Sequence, residues 1–270
     1  MASFEKILIV GCGNMGGAML AGWLAAGIAP ERFAVVDPVL ENAPQGVRLY
    51  RDPPAPGDHG AVLLGFKPQQ LSKLAPTLQG LVGKGVTLFS LLAGVSVGDL
   101  EAAFPDAAAH LRVMPNLAAR IGKSPVILAG NGFDETARAQ ALALFDCLGS
   151  AHWLDDEGQF DLVTALAGSG PGFVYRFIDA LSAAAQELGL AREMADQLAL
   201  ATVEGAASLA AHGEVSAGDL ADRVASPGGM TREGLNVLDR DNALKNLLKE
   251  TLQATRDRAA ELARIAREQD

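Results

Sequence analysis

Residues 7–17 read ILIVGCGNMGG, a short unbroken apolar run followed at once by Gly11, Gly13 and Gly16. Four apolar residues without polar alternation describe a strand covered on both faces. Gly11 permits a tight turn, Gly13 lets the backbone approach a pyrophosphate, and Gly16 lets the next helix, opened by Asn14 and Met15, pack on the strand. Asp37 stands 21 residues beyond Gly16, just past a second apolar run, Phe33–Val36. A carboxylate there suits the ribose hydroxyls of a dinucleotide. A merely tight strand-to-helix turn would explain the glycines, but not the strand, helix and acid together.

Outward from this motif, apolar runs at 61–66, 86–91, 111–114, 126–129 and 151–154 alternate with helical segments at 14–26, 68–78, 97–103 and 134–148. Such alternation predicts an α/β fold with a doubly wound, Rossmann-like parallel sheet. Beyond Gly158 the strand pattern stops. Helical spacing continues at 159–167, 173–188, 192–211, 217–224, 232–238 and 243–266, with a break at 168–172. The expected organisation is a dinucleotide-binding domain over 1–158 and an all-helical substrate and dimerisation domain over 159–270, in keeping with a length of 270 residues.

The chain carries 22 basic and 32 acidic residues, a net charge of −10, and each half is acidic. With no cluster of Lys and Arg, neither nucleic acid nor an anionic membrane surface is an expected partner. Two cysteines, Cys12 and Cys147, are too few for a disulfide framework or a zinc set. The apolar run at 7–10 is too short for a secretion signal or a membrane span. The expectation is a soluble, cytoplasmic protein.

Three further groups of residues carry candidate chemistry. Phe66, Lys67 and Pro68, then Ala93 and Gly94, then Pro115 and Asn116 follow successive strands, where a doubly wound sheet opens its ligand crevice. Lys67 is a candidate for a cofactor phosphate or ribose; Asn116 either hydrogen-bonds a carboxamide or holds a loop. Each alone also reads as an ordinary cap. Ser226, Pro227, Gly228, Gly229, Met230 and Thr231 form either a nest of backbone N–H groups for a carboxylate, with the Thr231 hydroxyl at an N-cap, or a glycine-rich connection that Thr231 simply caps. The segment 168–172 is likewise a close-packed corner or a place where Ser169 meets ligand.

The charge of Asp37 disfavours a 2′-phosphate and so favours NADH over NADPH, unless Arg32, Arg48 or Arg51 reaches that phosphate. Oxidation of an alcohol needs a base, and the helical half offers only His212, Lys245 and Lys249, which read as solvated helix-face residues. A protonated imine is already electrophilic and needs no such base. The balance moves toward C=N reduction.

The segments Gly11-Cys-Gly-Asn-Met-Gly16, Phe66-Lys-Pro68, Leu92-Ala-Gly-Val95, Met114-Pro-Asn116, Gly168-Ser-Gly-Pro171 and above all Ser226-Pro-Gly-Gly-Met-Thr231 resemble, in order, those of Δ1-pyrroline-5-carboxylate reductases. That resemblance implies NAD(P)H-dependent reduction of a small cyclic imino acid to L-proline, by a homodimer or higher homo-oligomer with a shared active site. It implies that Thr231 hydrogen-bonds the ring nitrogen as the catalytic group, that backbone groups of Ser226, Gly229 and Thr231 hold the carboxylate, and that Gly228, Glu214 and Ser169 lie near substrate. Ala93, Gly94, Pro115 and Asn116 would line the nicotinamide, with Lys67 near the cofactor. The sequence departs from the pattern at Leu117-Ala118, where Thr-Pro is usual, and at Gly172 and Ala221. A related cyclic imine as substrate, a hydroxyacid dehydrogenase of the same plan, and a nucleotide-binding regulator without turnover are the rival readings. The intact 226–231 turn argues against the last.

Overall fold

A computed structural model describes residues 4–57 and 59–268, without the side chains of 262, 263 and 265–268. The chain divides into two compact units, one comprising Met1–Gly168 with Thr255–Asp270, the other Ser169–Ala254.

In the first unit, strand β1 (Ile7–Val10) runs through the glycine turn into helix α1 (Asn14–Ala25), then β2 (Phe33–Val36), β3 (Arg48–Tyr50) and β4 (Ala61–Leu64). There follow α2 (Leu71–Leu78), β5 (Thr87–Ser90), α3 (Val97–Ala103), β6 (Ala109–Met114), β7 (Ser124–Asn131), α4 (Glu135–Asp146) and β8 (Gly149–Trp153). The eight strands form one sheet in the order β3-β2-β1-β4-β5-β6-β7-β8. Strands β1, β2 and β4 are buried at every residue, as their unbroken apolar composition requires, and β5 is buried throughout although it begins with Thr87 and ends with Ser90.

Two details correct the sequence reading. The sheet is not wholly parallel, because β6 and β7 pair antiparallel, with Arg112 opposite Ala129. Only residues 115–123 join them, too few for the helical crossover that a parallel pair demands. Strand β3 went unread because three residues, one of them an exposed Arg, carry almost no periodicity.

Both faces of the sheet hold a core. One gathers Met19, Trp23, Phe89, Phe145 and Leu148 around α1 and α4; the other gathers Leu78, Leu88, Leu100 and Phe104 around α2 and α3. Trp23 stacks on Phe33 with ring centroids 5.3 Å apart, and its indole N–H donates to the Leu144 carbonyl at 2.9 Å. Burial of rings this size supplies much of the driving force for the unit.

After β8 the chain enters α5 (Phe160–Val163) and a single π-helical turn, Thr164–Gly168. Helix α6 (Gly170–Glu187) starts directly after it, so the expected break at 168–172 shrinks to the junction itself. Pro171 falls in the first turn of α6, where its missing N–H costs nothing. Helices α7 (Arg192–His212), α8 (Ala217–Arg223), α9 (Met230–Asp239) and α10 (Ala243–Glu268) complete the chain.

The second unit is held differently. Ser182, buried on α6, donates its hydroxyl to Asp196 of α7 at 2.5 Å and accepts from Gln186 at 3.1 Å. Tyr175, Phe177, Leu188, Met194, Leu198 and Leu209 are all exposed. Helices with this much open apolar surface want a partner surface.

Candidate functional site

The glycine turn is shaped by close approach. Gly11 has a φ of +87°, and a Cβ on it would lie 2.8 Å from the backbone nitrogen of Phe66. A Cβ on Gly16 would lie 2.9 Å from the Gly11 carbonyl oxygen, and one on Gly65 only 2.3 Å from the same atom. Gly13 differs, with nothing within 4 Å of its Cβ position. It is the N-cap of α1, no side chain caps that helix, and its first turn holds no acid. An open helix N-terminus beneath a bare glycine is the cradle a pyrophosphate needs, so these residues fit a dinucleotide.

Asp37, 7% exposed, stands beside this cradle. One carboxylate oxygen accepts from the Cys12 N–H at 2.8 Å; the other accepts from Val39 and Leu40 at 2.9 and 3.0 Å. Burial alone would raise its pKa, but these three N–H groups and the nearby Arg51 outweigh it and hold the carboxyl below the usual range. Asp37 is therefore ionised at neutral pH and also ties the glycine turn to the end of β2.

Of the three arginines considered for a phosphate, Arg32 is excluded. From the start of β2, the end opposite Asp37, it donates to the carbonyls of Phe4 and Glu5, which precede β1. Arg48 turns to the Tyr50 hydroxyl at 3.3 Å. Arg51 lies next to Asp37, donating to the carbonyls of Asp37, Leu40 and Glu41.

Burial and the Asp37 carboxylate push the Cys12 thiol up to about 11. Cys147, the C-cap of α4, is half-buried, its thiol donating to the Ala143 carbonyl at 3.4 Å. A thiol reagent at pH 8 should therefore modify Cys147 in native protein and reach Cys12 only after unfolding, as peptide mapping would read. Native labelling of Cys12 at the rate of an open thiol would contradict this.

The strand ends supply a cavity of about 270 Å³, whose walls include Pro68, Ala93, Gly94, Arg112, Met114 and Thr164. Lys67, which precedes Pro68, is exposed, its backbone N–H donating to Gln70 at 3.2 Å. Asn116 resolves toward one of its two readings. It is buried; its amide donates to the Ala167 carbonyl and accepts from Ala118, both at 2.9 Å, so it holds the loop. Ala167 belongs to the π-turn, which ties that turn to the end of β6.

In the second unit, Gly228 has a φ of +71° and the Gly229 N–H donates to the Ser226 carbonyl at 2.9 Å, closing the 226–229 turn. The N-cap of α9 is Gly229, not Thr231 as expected, because Gly229 takes the extended backbone and Met230 already begins the helix. Thr231 is one residue inside, exposed, with no hydrogen bond from its hydroxyl among the described residues. Ser169 is the N-cap of α6 but makes no side-chain cap bond, and Glu214 is exposed between α7 and α8.

Sequence reasoning missed Gly65 and Arg112. A glycine inside the third apolar run, 61–66, and an arginine inside a strand otherwise apolar, were the available hints.

Residues 157–262 match a family model described as pyrroline-5-carboxylate reductase dimerisation. The pyrroline-5-carboxylate reductase of Pseudomonas aeruginosa is 32% identical over 97% of this chain and 98% of its own length. That of Aquifex aeolicus is 34% identical over 95% and 97%. A solved pyrroline-5-carboxylate reductase structure from Coxiella burnetii superposes with a TM-score of 0.89 at 30% identity, covering 96% of this chain and 99% of that one.

Proposed function

The chain belongs to the pyrroline-5-carboxylate reductase family; as a member it reduces the C=N bond of 1-pyrroline-5-carboxylate to give L-proline with NAD(P)H, and we propose the residues by which it does so. The observation that carries the activity is likeness to curated reductases across both parts of the chain, not the dinucleotide half alone.

Gly11, Gly13, Asn14, Met15 and Gly16 hold the cofactor pyrophosphate at the start of α1, with Phe66, Lys67 and Pro68 beside it. Ala93, Gly94 and Pro115 wall the nicotinamide, and Asn116 keeps that wall in place through Ala167. Bound NAD(P)H supplies the hydride. The 226–231 turn, with Ser226, Gly228, Gly229 and Thr231, receives the substrate carboxylate. The ring N–H of the protonated imine donates to the Thr231 hydroxyl, which orients the C=N bond. Since the nitrogen arrives protonated, no separate general acid is required. Ser169 and Glu214 complete the substrate surroundings. Residues 159–270 form the substrate and dimerisation domain, and their exposed apolar side chains support a homo-oligomer that shares its active sites between copies. Among the described residues no helix is long and apolar enough to cross a membrane, and we place the enzyme in the cytoplasm.

NADH is the preferred donor. Asp37 stays ionised beside the cradle, and Arg51, the one cation next to it among the three considered, is engaged by backbone carbonyls. A 2′-phosphate would meet a fixed negative charge there. Following nucleotide oxidation by absorbance, pyrroline-5-carboxylate should be turned over in preference to a six-membered cyclic imine or a 2-oxo acid. The kcat/KM with NADH should exceed that with NADPH by about tenfold, equivalent to about 1.4 kcal/mol. Turnover of the oxo acid alone would overturn the reaction, and a preference for NADPH would overturn the role of Asp37.

A further inference from the structure

The cavity assigned to the nicotinamide has a buried cation in its wall. Arg112 is 7% exposed and lines that cavity from β6. The reaction proposed above brings two cations to the same place, a protonated imine before hydride transfer and an oxidised nicotinamide after it. A bare guanidinium would oppose both.

Its charge is not bare. Glu157 accepts from the Arg112 guanidinium at 2.7 Å, and the same oxygen accepts from the Val97 N–H, at the start of α3, at 2.9 Å. The guanidinium carbon lies 3.7 Å from the centre of the Phe160 ring, whose electron-rich face offsets the charge further. Among the described residues, Asp161 is the other charged side chain on the cavity wall. Glu157 itself is not on that wall; it is half-buried and faces a separate polar cavity of about 460 Å³. A charge inside the reaction cavity is thus cancelled from outside it.

We propose that Glu157 is a positioning residue that neutralises Arg112, so that the cavity between β5, β6 and α5 can host the cationic forms of substrate and cofactor. Arg112 serves as a rigid wall: its stem and planar head pack on Phe160, and its ion pair ties β6 to the segment that leads into the π-turn. The inference rests on the reading of this cavity as the nicotinamide site.

Calorimetric binding of NAD⁺, NADH and ADP-ribose, which lacks the nicotinamide, tests it on the full chain. Glu157→Gln keeps the hydrogen bonds but leaves the cation uncancelled. It should raise the ratio of the NAD⁺ to the NADH dissociation constant by about tenfold, with ADP-ribose binding unchanged. Arg112→Met leaves Glu157 unopposed and should move the ratio the other way. The double variant should return it toward the wild-type value. A merely structural ion pair would weaken all three ligands together in each variant, and that result, or an unchanged ratio in both single variants, overturns the proposal. If Glu157→Gln does not fold, Arg112→Met alone still carries the test through the sign of its shift. Wild-type protein that bound neither dinucleotide would instead count against the functional reading itself, and the proposal would fall with it.

Discussion

Thr231→Ala is expected to lower kcat/KM for the imine by about tenfold to a hundredfold, the effect of about 1 to 3 kcal/mol for one polar contact made with the reacting group. The position of Thr231 makes this a clean test. Gly229 is the N-cap of α9, so Thr231 is not needed to start the helix. Its hydroxyl has no hydrogen bond among the described residues, and the side chain is exposed. Removing it therefore breaks nothing recorded within the chain, and Ala is the better helix former. The melting temperature should change little, and binding of NADH should be retained. Thr231→Ser, which restores the hydroxyl, should recover most of the rate. A soluble, folded Thr231→Ala protein with unaltered kcat/KM would remove this residue from the mechanism.

Gly65→Ala should damage stability and cofactor binding together. The added Cβ would stand 2.3 Å from the Gly11 carbonyl oxygen, a backbone atom that cannot turn aside. Gly65 is itself held, its N–H donating to the Val10 carbonyl at 2.8 Å. Relief requires moving the glycine turn away from β4, at a cost on the scale of overpacking, about 2 to 3 kcal/mol. For a chain of this size that lowers the melting temperature by roughly 4 to 12 °C. Displacing the turn should also weaken ADP-ribose and NADH binding at least tenfold. Gly13→Ala makes the contrast, because its Cβ meets nothing within 4 Å in the protein. Stability should fall by no more than about 1 kcal/mol, the usual cost of Ala at an N-cap. Binding should still suffer, because the methyl group occupies the space the pyrophosphate needs. Wild-type melting and affinity in Gly65→Ala would refute the close approach on which both expectations stand.

The two substitutions mark what was legible in the residues. Gly11, Gly13 and Gly16 were readable because their spacing follows a strand and opens a helix, a pattern contained in ten consecutive positions. Gly65 was not, because its constraint comes from Gly11, just past the end of the neighbouring strand β1. The same holds for Asp37, whose charge and place were readable while its bonds to Cys12, Val39 and Leu40 were not. Thr231 was expected at the cap, but it lies one residue inside α9. Which residue caps depends on backbone angles that Gly229 and Met230 settle between them.

By itself, the order of residues determined the alternation of buried strands and amphipathic helices, the glycine turn on β1, and the change to an all-helical second part. Each of these is a local matter, set by the periodicity of apolar side chains and by the conformational freedom of glycine. Tertiary structure alone decided that β6 and β7 run antiparallel, that Asn116 holds the π-turn, and that a buried arginine on β6 meets its counter-charge 45 positions away. Those outcomes depend on which segments meet after the sheet has assembled. Burial then makes the pairing compulsory, because a polar or charged group removed from water must find its partner within the fold.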